Sequence, residues 1–141
     1  MASSVIHDDL VLFLTRWYRQ ALAERPEDVC LGVLVTDREP DPTQQFPERV
    51  LVIAADLNRA SVVSDVADVR CSILAGTQLT PPDANDLAAI VRALGERIPA
   101  VESGNPVAAL LSSAGPFVAD ENQDRARRLV TLELSVVGRP F

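Results

Sequence analysis

One histidine, two cysteines, scattered glycines and few aromatic side chains are what the 141-residue sequence offers to chemistry, and each scarcity excludes something. A metal centre needs several ligands held together, and a histidine base needs a nucleophile beside it. His7, alone near the chain start, reads as a solvated residue at a helix end. The six glycines never gather into G-x-G-x-x-G or a P-loop, so the usual backbone cradles for phosphate are missing. Cys30 and Cys71 sit in apolar, strand-like runs without C-x-x-C or ligand spacing, which reads as buried free thiols, with a pair across adjacent strands as the alternative. Long apolar runs are also lacking. The first one, in "MASSVIHDDLVLFLTRWYR", is too short and interrupted to span a bilayer and has no basic leader, so the expectation is synthesis in the cytoplasm with no membrane partner.

Catalytic constellations are equally thin. "LLSSAGP" places Ser112 and Ser113 before a glycine but lacks G-x-S-x-G, and reads as a bend where Gly115 and Pro116 reset a strand. Apolar neighbours of Cys71 would raise its pKa rather than activate it. The carboxylates are dispersed in loops, and no spacing resembles a calcium loop. The sequence therefore argues against catalysis, a metal and a cofactor.

What is abundant is aliphatic and acidic. Hydrophobic residues make up 48% of the chain and aromatics 4%, suiting a compact α+β domain packed with Val, Leu, Ala and Ile. The length fits a single domain over residues 1–141. A formal charge of -7 opposes any grip on nucleic acid, which depends on cations neutralising phosphates. It is compatible with a wall past which a polyanion slides.

Periodicity gives the elements. Ile6, Leu10, Phe13, Leu14, Trp17 and Ala21 recur at helical spacing, with Asp8 and Asp9 in the first turns and Pro26 as the stop. In that helix Trp17 is expected in the core and Tyr18 at a boundary. "DVCLGVLVTD" reads as a strand in which Gly32 allows close approach of a neighbouring backbone, and "REPDPTQQFPE" as a long loop. "RVLVIAADLN" is apolar on both faces and reads as a central strand covered on each side. Next, "VADVRCSILAGT" separates Ala67, Val69, Cys71 and Ile73 from Asp68, Arg70, Ser72 and Leu74. A second helix follows, expected to be capped by Thr80 and to bury Ala84, Leu87, Ala88, Val91, Leu94 and Ile98. "VAALLSS" and "FVAD" flank an interrupted strand, and "ENQDRARR" is a polar connection. In the final strand Val130, Leu132, Leu134 and Val136 alternate with Leu129, Thr131, Glu133 and Ser135. The predicted order is α-β-β-β-α-β-β, an antiparallel or mixed sheet with two helices packed on one face. Half of that sheet is left bare.

Element by element, the N-terminal helix, "RVLVIAADLN", "VADVRCSILAGT", "DANDLAAIVRAL", "GNPVAALLSSAGPFVADE" and "RRLVTLELSVVG" resemble the tail terminator proteins of long-tailed phages, particularly those infecting actinobacteria. The likeness runs from about Leu10 to Gly138 and carries no catalytic signature. It implies a homo-oligomeric ring, hexameric in that family, that caps the tail tube, stops its growth and joins the tail to the head–tail connector in the neck. DNA would pass through the lumen without specific binding, and the place of action would be the virion's tail–neck junction. The resemblance implies no enzymatic role and no cofactor.

On that reading Asp68, Arg70, Ser72, Leu129, Thr131 and Glu133 are expected on a subunit or lumen face. Arg38, Phe46, Phe141 and the cluster Arg125, Arg127 and Arg128 are expected to contact a subunit, the tube or the neck. Local partners for the cluster would be Asp120, Glu121 and Asp124, and the sharper expectation is acid from another copy. The competing readings are another neck or tail-tube ring protein, a small cytoplasmic enzyme using Cys71 or a loop carboxylate, and a monomeric acidic module that binds a peptide at a sheet edge.

Overall fold

The computed structural model describes residues 5–6, 9–41, 48–61, 64–100, 104–119 and 124–140, with 5–6 and 139–140 described by backbone alone. His7, Phe46, Phe141, Asp120 and Glu121 therefore lie outside the described residues and side chains. The chain forms one α+β domain in which a five-stranded mixed sheet carries both described helices on one face.

The first helix, α1 (Leu10–Ala23), starts where Asp9 accepts the amide of Leu12 at 3.0 Å, occupying a donor that would otherwise face water. Ile6 is not in its first turn. It belongs to a short strand β1 (Val5–Ile6) paired antiparallel with β7 (Arg139–Pro140). The buried stripe of α1 is Leu10, Leu14, Tyr18 and Leu22, strictly at i+4, which reverses the expected roles of the neighbouring aromatics. Tyr18 is 0% exposed and its hydroxyl donates to the Val91 carbonyl at 2.9 Å, whereas Trp17 is half-buried. A phenol can be buried this completely because the second helix presents its polar tip with an acceptor. The Trp17 ring meets it edge-on, centroids 5.0 Å apart.

"DVCLGVLVTD" is not one strand. A 3-10 turn (Asp28–Cys30) precedes β2 (Leu34–Thr36), and between them Gly32 takes φ 65°. Nothing lies within 4 Å of where its Cβ would stand, so the glycine supplies a left-handed turn and not close approach. β2 pairs parallel with β3 (Val50–Arg59), and the remaining ladders of this sheet are antiparallel: β3 with β4 (Ser64–Ala75), β4 with β6 (Ala126–Val137), and β6 with β5 (Val107–Val118). The strand order is β2-β3-β4-β6-β5. β3 is covered on both sides only at its start; Asp56 to Arg59 are exposed.

Between β4 and β5 lies α2 (Pro82–Gly95), whose stripe Ala84, Leu87, Ala88, Val91 and Leu94 is buried as expected, with Ile98 just beyond it. Thr80 does not cap it. Its hydroxyl is 2.7 Å from that of Thr77, closing the preceding turn, and the cap position falls to Pro81 without a side-chain bond. α1 rests on β2 and β3, and α2 on β4, β6 and β5. Their stripes meet Ile53, Val69, Cys71, Ile73, Val130, Leu132, Leu134 and Val136 in one core. Both cysteines are buried and free, and burial pushes the Cys71 thiol up to about 12.

β5 continues through the expected interruption, but its register against β6 shifts at three places. At the last, Gly115 takes φ 104°, and a Cβ there would stand 2.5 Å from the Leu129 carbonyl oxygen, so only glycine fits. Arg92 of α2 staples this bend: Nε donates to Ser113 Oγ at 3.1 Å, Nη2 to the Ser113 carbonyl at 3.2 Å, and Nη1 to the Gly115 carbonyl. A planar guanidinium with several fixed donors suits such a task.

Candidate functional site on the uncovered sheet face

Side chains alternate across a strand, so the partners of the core residues form the sheet's other face, which neither described helix covers. The β4–β6 register sets Asp68 opposite Glu133, Arg70 opposite Thr131, and Ser72 opposite Leu129. The six residues expected on one surface are thus brought together as three adjacent cross-strand pairs. β3 extends the rows with Asp56 opposite Asp68, Ala54 opposite Arg70, and Val52 opposite Ser72.

One row stands out electrostatically. Asp56, Asp68 and Glu133 occupy consecutive places across three strands, and Ser112 of β5 continues the row beside Glu133. Directly opposed like charges destabilise a sheet by roughly 0.2–1 kcal/mol per pair. Partial relief comes from Arg70, whose Nη1 reaches Asp56 Oδ2 at 2.9 Å, and from Asn58, whose Nδ2 donates to Asp68 Oδ2 at 3.4 Å. Asp56 and Asp68 are exposed and Glu133 half-exposed, so water solvates what the protein does not pair. Among the described residues, no grouping of three or more His, Cys, Asp or Glu is arranged to hold a metal ion. Asp56 was missed in the sequence because it follows an apolar run, and nothing local announces which β4 residue it will face.

At one end this face is closed by the chain itself. Val50 and Leu74 point away from the helices yet are buried, and Glu39 forms an ion pair there with Arg127, the residue opposite Leu74. Arg127 and Arg128 are strand residues and not part of the polar connection. They point to opposite sides of the sheet. Arg127 meets Glu39, and Arg128 turns toward α2, donating to Asn85 Oδ1 at 2.7 Å. Arg125 precedes β6, and Arg127 and Arg128, on opposite faces, do not share a patch. Arg38 is exposed on the loop after β2, its amide donating to Thr36 Oγ1 at 3.2 Å.

Elsewhere, an open cleft of about 380 Å³ lies between the two helices, lined by Trp17, Ala21, Glu24, Arg25, Leu94 and Arg97. Arg25 is paired with Glu27, whose carboxyl is held below its ordinary range by that bond. The Cys71 thiol is 0% exposed and lines neither this cleft nor the uncovered face. No helix among the described residues is long and apolar enough to cross a membrane. No protein-family model matches the chain, and no curated protein matches it significantly.

Proposed function

We propose that this protein is a structural ring component of a phage virion, a tail terminator that caps the tail tube, arrests its polymerisation and joins it to the neck connector. The observation that carries the reading is the bare sheet face with the acidic row Asp56, Asp68 and Glu133 across its middle. A sheet face that neither described helix covers is open to completion by neighbours in an assembly, and heterologous contacts with a closing rotation make a ring. Turned inward, the carboxylates give a lumen to which DNA does not adhere, in keeping with the chain's net charge of -7. Helices then lie outside, where tube and neck proteins approach. A thiol enzyme acting through Cys71 gains no support, since burial keeps that sulfur protonated and away from solvent.

Native mass spectrometry and negative-stain microscopy of the purified protein test the ring, and addition to polymerising tail tube protein tests the capping. A closed oligomer with a central channel that halts tubes at substoichiometric amounts is expected. Self-polymerisation into tubes would reassign the protein as a tube component. A ring that leaves tube growth untouched would reassign it to another level of the neck. A monomer at every concentration, with no effect on tubes, overturns the reading.

A further inference from the structure

We propose that neighbouring copies join by a knob and a groove at opposite edges of the sheet: Val118 of one copy enters the space between α1 and β2 of the next. This rests on the ring reading and names the surfaces that meet. Phe117 and Val118, at the end of edge strand β5, are 49% and 79% exposed. The chain just before them is fixed by the Arg92 staple and by Gly115, so they are presented rather than left loose. By register Phe117 stands opposite Leu129 on the bare face and Val118 opposite Arg128 on the helix side, so Val118 is the apolar side chain presented toward a neighbour's helix-side groove.

The charges identify the partner surface. Val118 lies directly opposite Arg128, whose guanidinium bonds only neutral acceptors, Asn85 Oδ1 and the Arg127 carbonyl. Its charge is thus uncompensated by any carboxylate among the described residues. On the far edge, a groove of about 240 Å³ has Leu12 and Val35 in its wall and Asp9 and Asp37 on its rim. Leu12 is 45% exposed, and neither carboxylate has a cation within salt-bridge distance among the described residues. Arg19 also lines this groove, but its Nη2 is engaged by the Val35 carbonyl at 3.1 Å. An apolar knob beside a cation and an apolar groove beside two anions are complementary, and both belong to the same chain.

Register adds an independent argument. Val35, Leu51, Ile73, Arg128 and Val118 form one unbroken row across all five strands of the main sheet. Knob and groove therefore stand at the same height on opposite edges. With strands along the ring axis, each copy docks without displacement along its neighbour's strands, the condition a closed ring needs and a climbing filament violates. Direct continuation of the sheet from copy to copy is disfavoured at both edges: β2 is three residues long with its Val35 carbonyl occupied, and β5 is broken by register shifts.

Val118→Asp and Leu12→Asp, both at exposed positions and checked for native circular dichroism, test the contact by native mass spectrometry. Each variant alone is expected to run as a monomer at concentrations where the unmodified chain forms a ring. Their equimolar mixture is expected to give a dimer and nothing larger, because one intact knob and one intact groove remain. Arg128→Glu and Asp37→Arg are expected to weaken assembly singly and to restore it when combined in one chain. Variants that keep the ring, a mixture that stays monomeric, or a charge swap without restoration overturn this contact and leave the ring reading standing. An unmodified chain that is monomeric at every concentration overturns both.

Discussion

The two faces of the central sheet are built from the same strands, one residue out of step, and they obey different physics. Along β4, Ala67, Val69, Cys71 and Ile73 are sealed beneath the helices, while Asp68 and Arg70 between them stand in water. The covered face is a packing solution: aliphatic side chains fill the space to α1 and α2, and the deeply buried Tyr18 hydroxyl has its acceptor. The uncovered face is an electrostatic arrangement that isolated folding does not favour, with three carboxylates in one row and a single arginine bonded to one of them. A domain can lose part of the second face and remain folded. It cannot lose much of the first.

The largest expected effect follows from that asymmetry. Leu134 is fully buried on the covered side between Ala67 of β4 and Leu110 of β5, and Leu134→Ala should destabilise the domain by about 2–5 kcal/mol, as cavity formation adds to lost burial. Chemical denaturation measures it, and a change below about 0.5 kcal/mol would mean that this face is not the domain's core.

Alkali probes the same face by titration. The Cys71 thiol is raised from 9.0 to about 12 by burial, and the Tyr18 phenol is raised above 10.0 by burial and then by Cys71. Both groups hold their protons more tightly when folded, so between about pH 9 and 12 the unfolded chain binds fewer protons and stability falls as pH rises. The fall is ~1.4 kcal/mol per pH unit for each group titrating only in the unfolded chain. Denaturation midpoints followed from pH 8 to 10 should drop, and Cys71→Ala should flatten the slope whatever its offset in stability. An unchanged slope in that variant would mean the thiol is not shielded.

Legibility in the sequence divides along the same line. Period-two alternation in β4 and β6 and the stripe of α2 could be read directly, because burial selects aliphatic residues one position at a time. Which carboxylates would face one another could not, since register is a property of two distant strands; Asp56 and Asp68 become neighbours only once β3 and β4 are paired. Tyr18 was misplaced because its burial depends on a carbonyl 73 residues away. The Glu39–Arg127 pair and the Thr77–Thr80 turn were hidden for related reasons: one is long-range, and the other is a local hydroxyl bond that competes with the cap pattern. That Asp68, Arg70 and Ser72 share one face of β4, and Leu129, Thr131 and Glu133 one face of β6, was legible because strand alternation alone separates the faces.

The smallest expected effect has the opposite sign and bears most directly on function. Asp68 sits between Asp56 and Glu133, so Asp68→Asn removes the central charge while its side-chain oxygen can still accept from Asn58. The isolated domain should gain about 0.2–1 kcal/mol, and the gain should shrink as salt screens the exposed charges. Loss of stability would show that solvation and Arg70 already neutralise the row. A gain would mean that the natural chain carries an acidic stripe its fold does not need, which makes sense where that stripe serves a surface in the assembly. The variant then separates folding from function, because a ring lined with it should still close while its lumen repels a polyanion less. Retention of double-stranded DNA by the purified ring at low salt, measured against the unmodified ring, reads that difference, and equal retention would place the stripe away from the channel.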